Sequence, residues 1–212
     1  MIDPQPKRKV ALDQRIAKWV AGGIARTPIS PNMVTGLSIP IGFIAAWLLS
    51  EGGVQADFGA GLFVIVVWLD HVDGELARAT GTSSEFGHYF DHVAALLNYV
   101  MMFVGAGLGV DLGLFVGWGL WLGIGAGVGV ASIMIVRIYG ERIIGRSYVE
   151  QTVRAGFEIE DTLYIVAPIT WLGVLEYFIL LAGIGVPLFL LYTFWDLFRA
   201  LGRRDKDASC QR

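Results

Sequence analysis

The chain has 212 residues, with 16 Lys and Arg set against 19 Asp and Glu for a formal charge of −3. Apolar residues make up 55% of it and charged residues 17%, and its mean hydropathy is +0.60. That balance excludes an ordinary soluble domain and points to an all-α integral membrane protein. The single cysteine, Cys210, excludes a disulfide framework.

Residues 1–29 read as an N-terminal cytoplasmic segment without the apolar core and cleavage site of a signal peptide. In it Val10, Ile16, Trp19, Val20 and Ile24 recur at roughly helical spacing among Lys9, Arg15 and Lys18. This predicts an amphipathic helix, lying on an anionic membrane face or packed on its own protein. Residues 30–202 read as a domain of six transmembrane helices. The first runs from about Pro31 to Ser50, with Ser30 as its N-cap and Pro31 at its first position. The others are expected at about Ala56–Ala77, Phe86–Val110, Leu112–Tyr139, Thr162–Ala182 and Val186–Leu201. Residues 203–212 read as a disordered cytoplasmic tail.

Lys and Arg fall in the N-terminal segment, at Arg78, from Arg137 to Arg154 and from Arg199 to Arg212, and none lies in EGGVQAD, GVD or AGIG. The positive-inside rule then puts both termini in the cytoplasm, with the protein in the cell's inner membrane. In the fourth span Gly119, Gly123 and Gly127 make overlapping small-xxx-small steps, which suit either close packing in the bundle or the seam of a homodimer. A homodimer is expected, and a nucleic-acid partner is not.

The stretch DHVDGELARATGTSSEFGHYFDHVAA, residues 70–95, puts acids and all three histidines between two apolar runs on the cytoplasmic side. Asp70 and Asp73 share one face of a helix, and Gly87 and Asp91 share a face of the next. Gly74 and Gly87 remove side chains where those helices must close. Three carboxylates at the water-facing end of a bundle suit Mg²⁺ or Mn²⁺, one or two ions, shared with substrate phosphates. Arg78 stands ready for a phosphate oxygen.

Asp70-x2-Asp73-Gly74-x2-Ala77-Arg78-x8-Gly87-x3-Asp91 resembles the signature of the CDP-alcohol phosphotransferases, and Pro31-Asn32-Met33-Val34-Thr35 is similar to the opening of that family's first span. The resemblance implies transfer of a phospho-alcohol from a cytidine diphosphate donor to an acceptor hydroxyl, with release of CMP, in phospholipid synthesis. It implies Asp70, Asp73 and Asp91 as metal ligands. Gly74, Ala77 and Gly87 would line the cytidine pocket, Arg78 would meet the diphosphate, and Asn32 and Thr35 would contact the donor.

One position departs. The family pattern ends in a fourth aspartate, the general base in relatives, and here that position is Ala95. Loss of a base typically costs ~10²–10⁴-fold in rate. Three accounts are open: an Asp→Ala change engineered to trap a substrate complex, a pseudoenzyme that binds nucleotide or lipid without turnover, or a substitute base, with His92 ahead of His88.

The acceptor is read less directly. Arg137, Arg142 and Arg146 cluster where the fourth span ends, which suits a phosphate-bearing acceptor or plain positive-inside topology. Gly87-His88-Tyr89-Phe90-Asp91-His92 is instead similar to a segment of phosphotransferases whose acceptor is diacylglycerol. Glu160, Asp161, Asp196 and Arg199 could border an acceptor cavity, or act as an N-terminal cap and an i,i+3 ion pair. A small transporter is the reading from another class, but its binding groups belong near the membrane midplane.

Overall fold

The computed structural model describes residues 12–110, 117–144 and 163–210. Its elements are all helices: α1 (Leu12–Ile24), α2 (Pro31–Glu51), α3 (Gly53–Thr80), α4 (Glu85–Gly109), α5 (Trp118–Ile144), the short α6 (Val166–Trp171) and α7 (Leu175–Cys210). Five of them, α2, α3, α4, α5 and α7, are long and apolar enough to cross a membrane. Phe43, Trp47, Phe58, Trp121 and Leu181 face outward, while Thr35, Ser38, Asp73 and Asn98 are buried. Outward apolar surface matches lipid, whereas polar groups in lipid must find partners inside the bundle. This is an all-α membrane protein.

The start of α2 is the one expected. Ser30 Oγ accepts from the Met33 amide at 3.3 Å, with Pro31 at the first turn. α3 returns antiparallel after a turn at Gly52 and Gly53, both at positive φ. Its 28 residues exceed the ~20 that a bilayer needs, so its last turns, carrying the acids, reach the interface. α4 runs parallel to α2, and α5 and α7 run parallel to α3. The described Lys and Arg residues consequently gather at one pole, with the starts of α2 and α4 and the ends of α3, α5 and α7.

At the opposite pole the helices touch backbone to backbone. A Cβ added to Gly105 would lie 2.2 Å from Ala46 O, and one on Gly109 would lie 1.9 Å from Leu49 O. The glycine steps of α5 serve the same end. A Cβ at Gly119 would lie 2.4 Å from Gly107 O, and one at Gly123 2.3 Å from Phe103 O. Those steps are therefore covered by α4 within the bundle, and a homodimer would need another face.

Two expected spans are corrected. The fifth, Thr162–Ala182, is interrupted at Leu172–Val174, where Gly173 has φ +69°, and α7 passes unbroken through the expected loop at Ala182–Val186. Gly183 looks like a turn residue in sequence but serves packing. Its Cβ would lie 2.6 Å from Leu122 Cβ of α5. Residues 163–171 run beside α3, from the level of His71, where the Tyr164 hydroxyl lies 3.2 Å from Nδ1, to Asp57, whose carbonyl accepts from Trp171 Nε1 at 3.1 Å. Where six spans were expected, the described residues hold five helices long and apolar enough to cross a membrane. The tail also differs, since α7 continues past Arg203 to Cys210.

One face of α1 packs against its own protein. Ala17 and Ala21 are buried against Val34, Val72 and Leu76, and Asp13 pairs with His71 at 3.3 Å. Trp19, 80% exposed, faces away.

Candidate active site

A cavity of about 220 Å³ opens at the basic pole. α2 contributes Pro31, Asn32 and Thr35 to it, and α3 contributes Asp73, Gly74, Ala77 and Arg78. The connection supplies Thr82, Ser83 and Ser84, and α4 supplies Gly87, His88 and Asp91.

Local sequence builds this shape. Gly81 ends α3 in a left-handed conformation, φ +66°, and the Thr82 amide donates back to Ala77 O at 3.2 Å. Ser84 then caps α4, its Oγ accepting from the Gly87 amide at 3.0 Å. Both α2 and α4 thus begin at the cavity, and their unsatisfied N–H groups give its rim a positive potential suited to phosphate. Gly87 leaves no spare room. A Cβ there would lie 3.1 Å from both Asn32 Oδ1 and Ser84 Oγ.

The carboxylates have unlike surroundings. Asp73 is buried and accepts from the Thr35 hydroxyl at 2.5 Å. Asp91 Oδ1 is buried with no hydrogen-bond partner. An orphaned anionic oxygen beside a second carboxylate is costly without a cation, and hard oxygen donors are what Mg²⁺ and Mn²⁺ take. The residues present fit such an ion. Arg78 Nη2 pairs with Glu75 Oε1 at 3.0 Å, but its side chain is 65% exposed and has further donors for an anion.

A family model for CDP-alcohol phosphatidyltransferase matches residues 28–195. The chain belongs to that family. It is also similar to the archaetidylinositol phosphate synthase of Pyrococcus horikoshii, 35% identical over 106 residues that make up 50% of this chain and 52% of that relative. The chain thus matches about half the length of that curated relative.

Of the CDP-alcohol phosphatidyltransferase motif, Asp73, Gly74, Ala77, Arg78, Gly87 and Asp91 come together around the cavity, joined by Asn32 and Thr35. Asp70, one turn earlier on α3, is not among the lining residues, and among the described residues no three acidic, His or Cys side chains are gathered for an ion. Ala95 lies deeper on α4, buried in an apolar cluster with Phe63, Tyr99 and Met102. His88 lines the cavity; His92 does not, and its Nδ1 lies 2.7 Å from its own helix carbonyl at His88.

Among the arginines, Arg142 donates to the Tyr89 hydroxyl of α4, which brings it beside the motif helix, and Arg137 lies further up α5. Arg146, Glu160 and Asp161 lie outside the described residues. Arg199 stacks over the Trp195 ring at 5.0 Å rather than pairing with Asp196. The sequence reading missed Glu75, Tyr89 and the hydroxyls of Thr82, Ser83 and Ser84. Ser84 carried a readable signal, an N-cap residue followed by an acid before an apolar run.

Proposed function

We propose that the chain is a metal-dependent CDP-alcohol phosphotransferase of phospholipid synthesis, moving a phospho-alcohol from its CDP-linked donor to an acceptor hydroxyl. The observation that carries this reading is the single cavity in which two motif carboxylates, Asp73 and Asp91, face Arg78, Asn32 and the starts of two helices. Family membership supports the reaction class.

In this mechanism Gly74, Ala77 and Gly87 line the cytidine pocket, and Arg78 with the N–H groups at the starts of α2 and α4 binds the diphosphate. Asp70, Asp73 and Asp91 would hold one or two Mg²⁺ or Mn²⁺ ions, with Thr35 fixing the orientation of Asp73. When bound, the metal neutralises the diphosphate and stabilises departing CMP. The acceptor oxygen bonds to the phosphorus carrying the alcohol, the bond to the CMP oxygen breaks, and the acceptor proton passes to a base. Ala95 offers no such base. His88 at the cavity, or His92 beside it through Nε2, would have to take the proton, at reduced rate. The apolar burial of Ala95 also favours a second reading, a nucleotide- and lipid-binding protein that does not turn over.

The proposed partners are a CDP-alcohol donor, a lipid or small-alcohol acceptor and membrane lipid, and the proposed assembly is a homodimer. A phosphate-bearing acceptor is favoured, because Arg142 stands beside the motif helix and the relative's name is that of a synthase of an inositol phosphate lipid. The proposed location is the inner membrane, with the active site and both termini facing the cytoplasm.

Ala95→Asp tests the reaction. It places a carboxylate one turn beyond Asp91 and should raise Mg²⁺-dependent CMP release at least ~10²-fold, the low end of a positioned base. Brisk turnover by the unaltered chain, lost in His92→Ala, would instead assign the base to histidine. No CMP release from either chain would favour the binding protein. For orientation, a cysteine at the exposed Val54 should react with an impermeant thiol reagent on intact cells, while Cys210 stays protected.

A further inference from the structure

α3 carries Asp73 and α4 carries Asp91, and each packs extensively on α2 but only slightly on the other. The spacing of the two carboxylates is therefore set through α2. α2 is tied to both helices by a short series of buried polar contacts, two of whose members, Ser38 and Asn98, lie outside the motif. Thr35 Oγ1 donates to Asp73 Oδ2 at 2.5 Å. One turn on, Ser38 Oγ donates to the Thr35 carbonyl at 2.7 Å. That commits the Ser38 proton, so its oxygen can only accept, and Asn98 Nδ2 of α4 donates to it at 3.1 Å.

Asn98 is 2% exposed in an otherwise apolar span. It lies two turns beyond Asp91 on nearly the same face, ~20° round and ~10 Å along. α2 is shaped to receive it, because a Cβ at Gly42 would lie 2.0 Å from Asn98 Oδ1. Burying an amide costs free energy unless it is bonded; Asn98 Oδ1 has no hydrogen-bond partner, so the one donated bond to Ser38 is what any slip of α4 along α2 would break. The contact therefore selects a single register.

We infer that Asn98 and Ser38 are positioning residues, which lock α4 to α2 and, through Thr35, hold Asp91 in register with Asp73. Neither touches the cavity. The geometric claim stands on the contacts alone; its consequence for metal binding rests on the proposed function above.

The test uses the full chain in nanodiscs, with Ser38→Ala, Asn98→Leu and the double variant. Thr193→Val is the control, since the Thr193 hydroxyl bonds only within its own helix, to Phe189 O at 2.8 Å. Two readouts are taken. In a Cys210→Ser background, spin labels at the exposed Ile65 of α3 and Val93 of α4 report helix spacing. Mn²⁺ titration followed by electron paramagnetic resonance reports ion affinity. Both single variants should broaden or shift the label distances and weaken Mn²⁺ binding ~10-fold, within the ~10–100-fold typical of groups that orient a ligand. The double variant should be no worse than either, because both break one link. The control should match the parent.

Label distances unchanged in both Ser38→Ala and Asn98→Leu would overturn the lock, whatever the ion does, and Ser38→Ala suffices should the leucine variant fail to fold. Additive losses in the double variant would overturn the single link. Changed distances in a parent that binds no Mn²⁺ would uphold the lock and remove the metal reading alone.

Discussion

Where α2, α3 and α4 meet at the basic pole, Asp73, Thr35, Ser38 and Asn98 are buried together and bonded from helix to helix. Where α4, α5 and α7 meet, the contacts are apolar. Phe103 stacks on Phe178 with ring centres 6.0 Å apart, and a cavity of about 470 Å³ lies among Val130, Ile133, Leu163 and Val186. Among the residues of α7 whose side chains are described, the one buried hydroxyl, on Thr193, bonds within its own helix. In lipid, apolar contacts are nearly interchangeable with lipid tails, whereas a buried hydrogen bond requires a particular partner at a particular height. Directional bonds are placed where two carboxylates must be aimed, and undirected apolar and backbone contacts serve elsewhere.

The comparison can be broken most sharply at Asp73. Asp73→Asn should weaken Mg²⁺-dependent binding of a CDP-alcohol more than ~100-fold, beyond the range of groups that merely orient a ligand. Calorimetry with Mg²⁺ and with chelator measures this, and equal affinity in the two would take Asp73 out of the metal site. A pair of identical substitutions comes next. Thr35→Val removes a bond to a carboxylate and should cost ~1.5–3 kcal/mol. Thr193→Val removes only a bond to its own helix and should cost under ~0.5 kcal/mol, because that carbonyl keeps its helical partner. Unfolding in mixed micelles, read by tryptophan fluorescence, separates the two. The smallest contrast concerns added methyl groups. Gly42→Ala drives a Cβ against Asn98 and should destabilise by ~1–3 kcal/mol, the usual cost of overpacking. Ala182→Val points into the apolar cavity and should change stability by less than ~1 kcal/mol. Equal costs would mean that the two sectors are packed alike.

Sequence made the polar sector readable because its requirements are local. The spacing from Asp70 to Asp91 and the Ser30–Pro31 helix start follow from helix geometry and capping, and most of the motif met at one cavity. Ser38 and Asn98 were visible as polar residues in apolar spans, yet only the packing of α2 against α4 gave them partners. The second half was harder. Gly173 and Gly183 look alike in sequence, but one turns the chain and the other admits Leu122, and that choice depends on a neighbour distant in sequence. The glycine steps of α5 had two possible partners for the same reason. Asp70 shows the limit from the other side, since a shared helix face brought it near the cavity without making it line the wall.

The glycine contacts at the far pole carry a mechanical consequence. With Gly105 and Gly109 pressed on the α2 backbone and Gly119 and Gly123 on that of α4, backbone rests on backbone at that end, with few side chains between to repack or swing aside. Such a seam behaves as a fulcrum. Three long helices clamped there act as levers whose free ends lie at the cavity, so a small angular change at the seam becomes a larger displacement around the cavity.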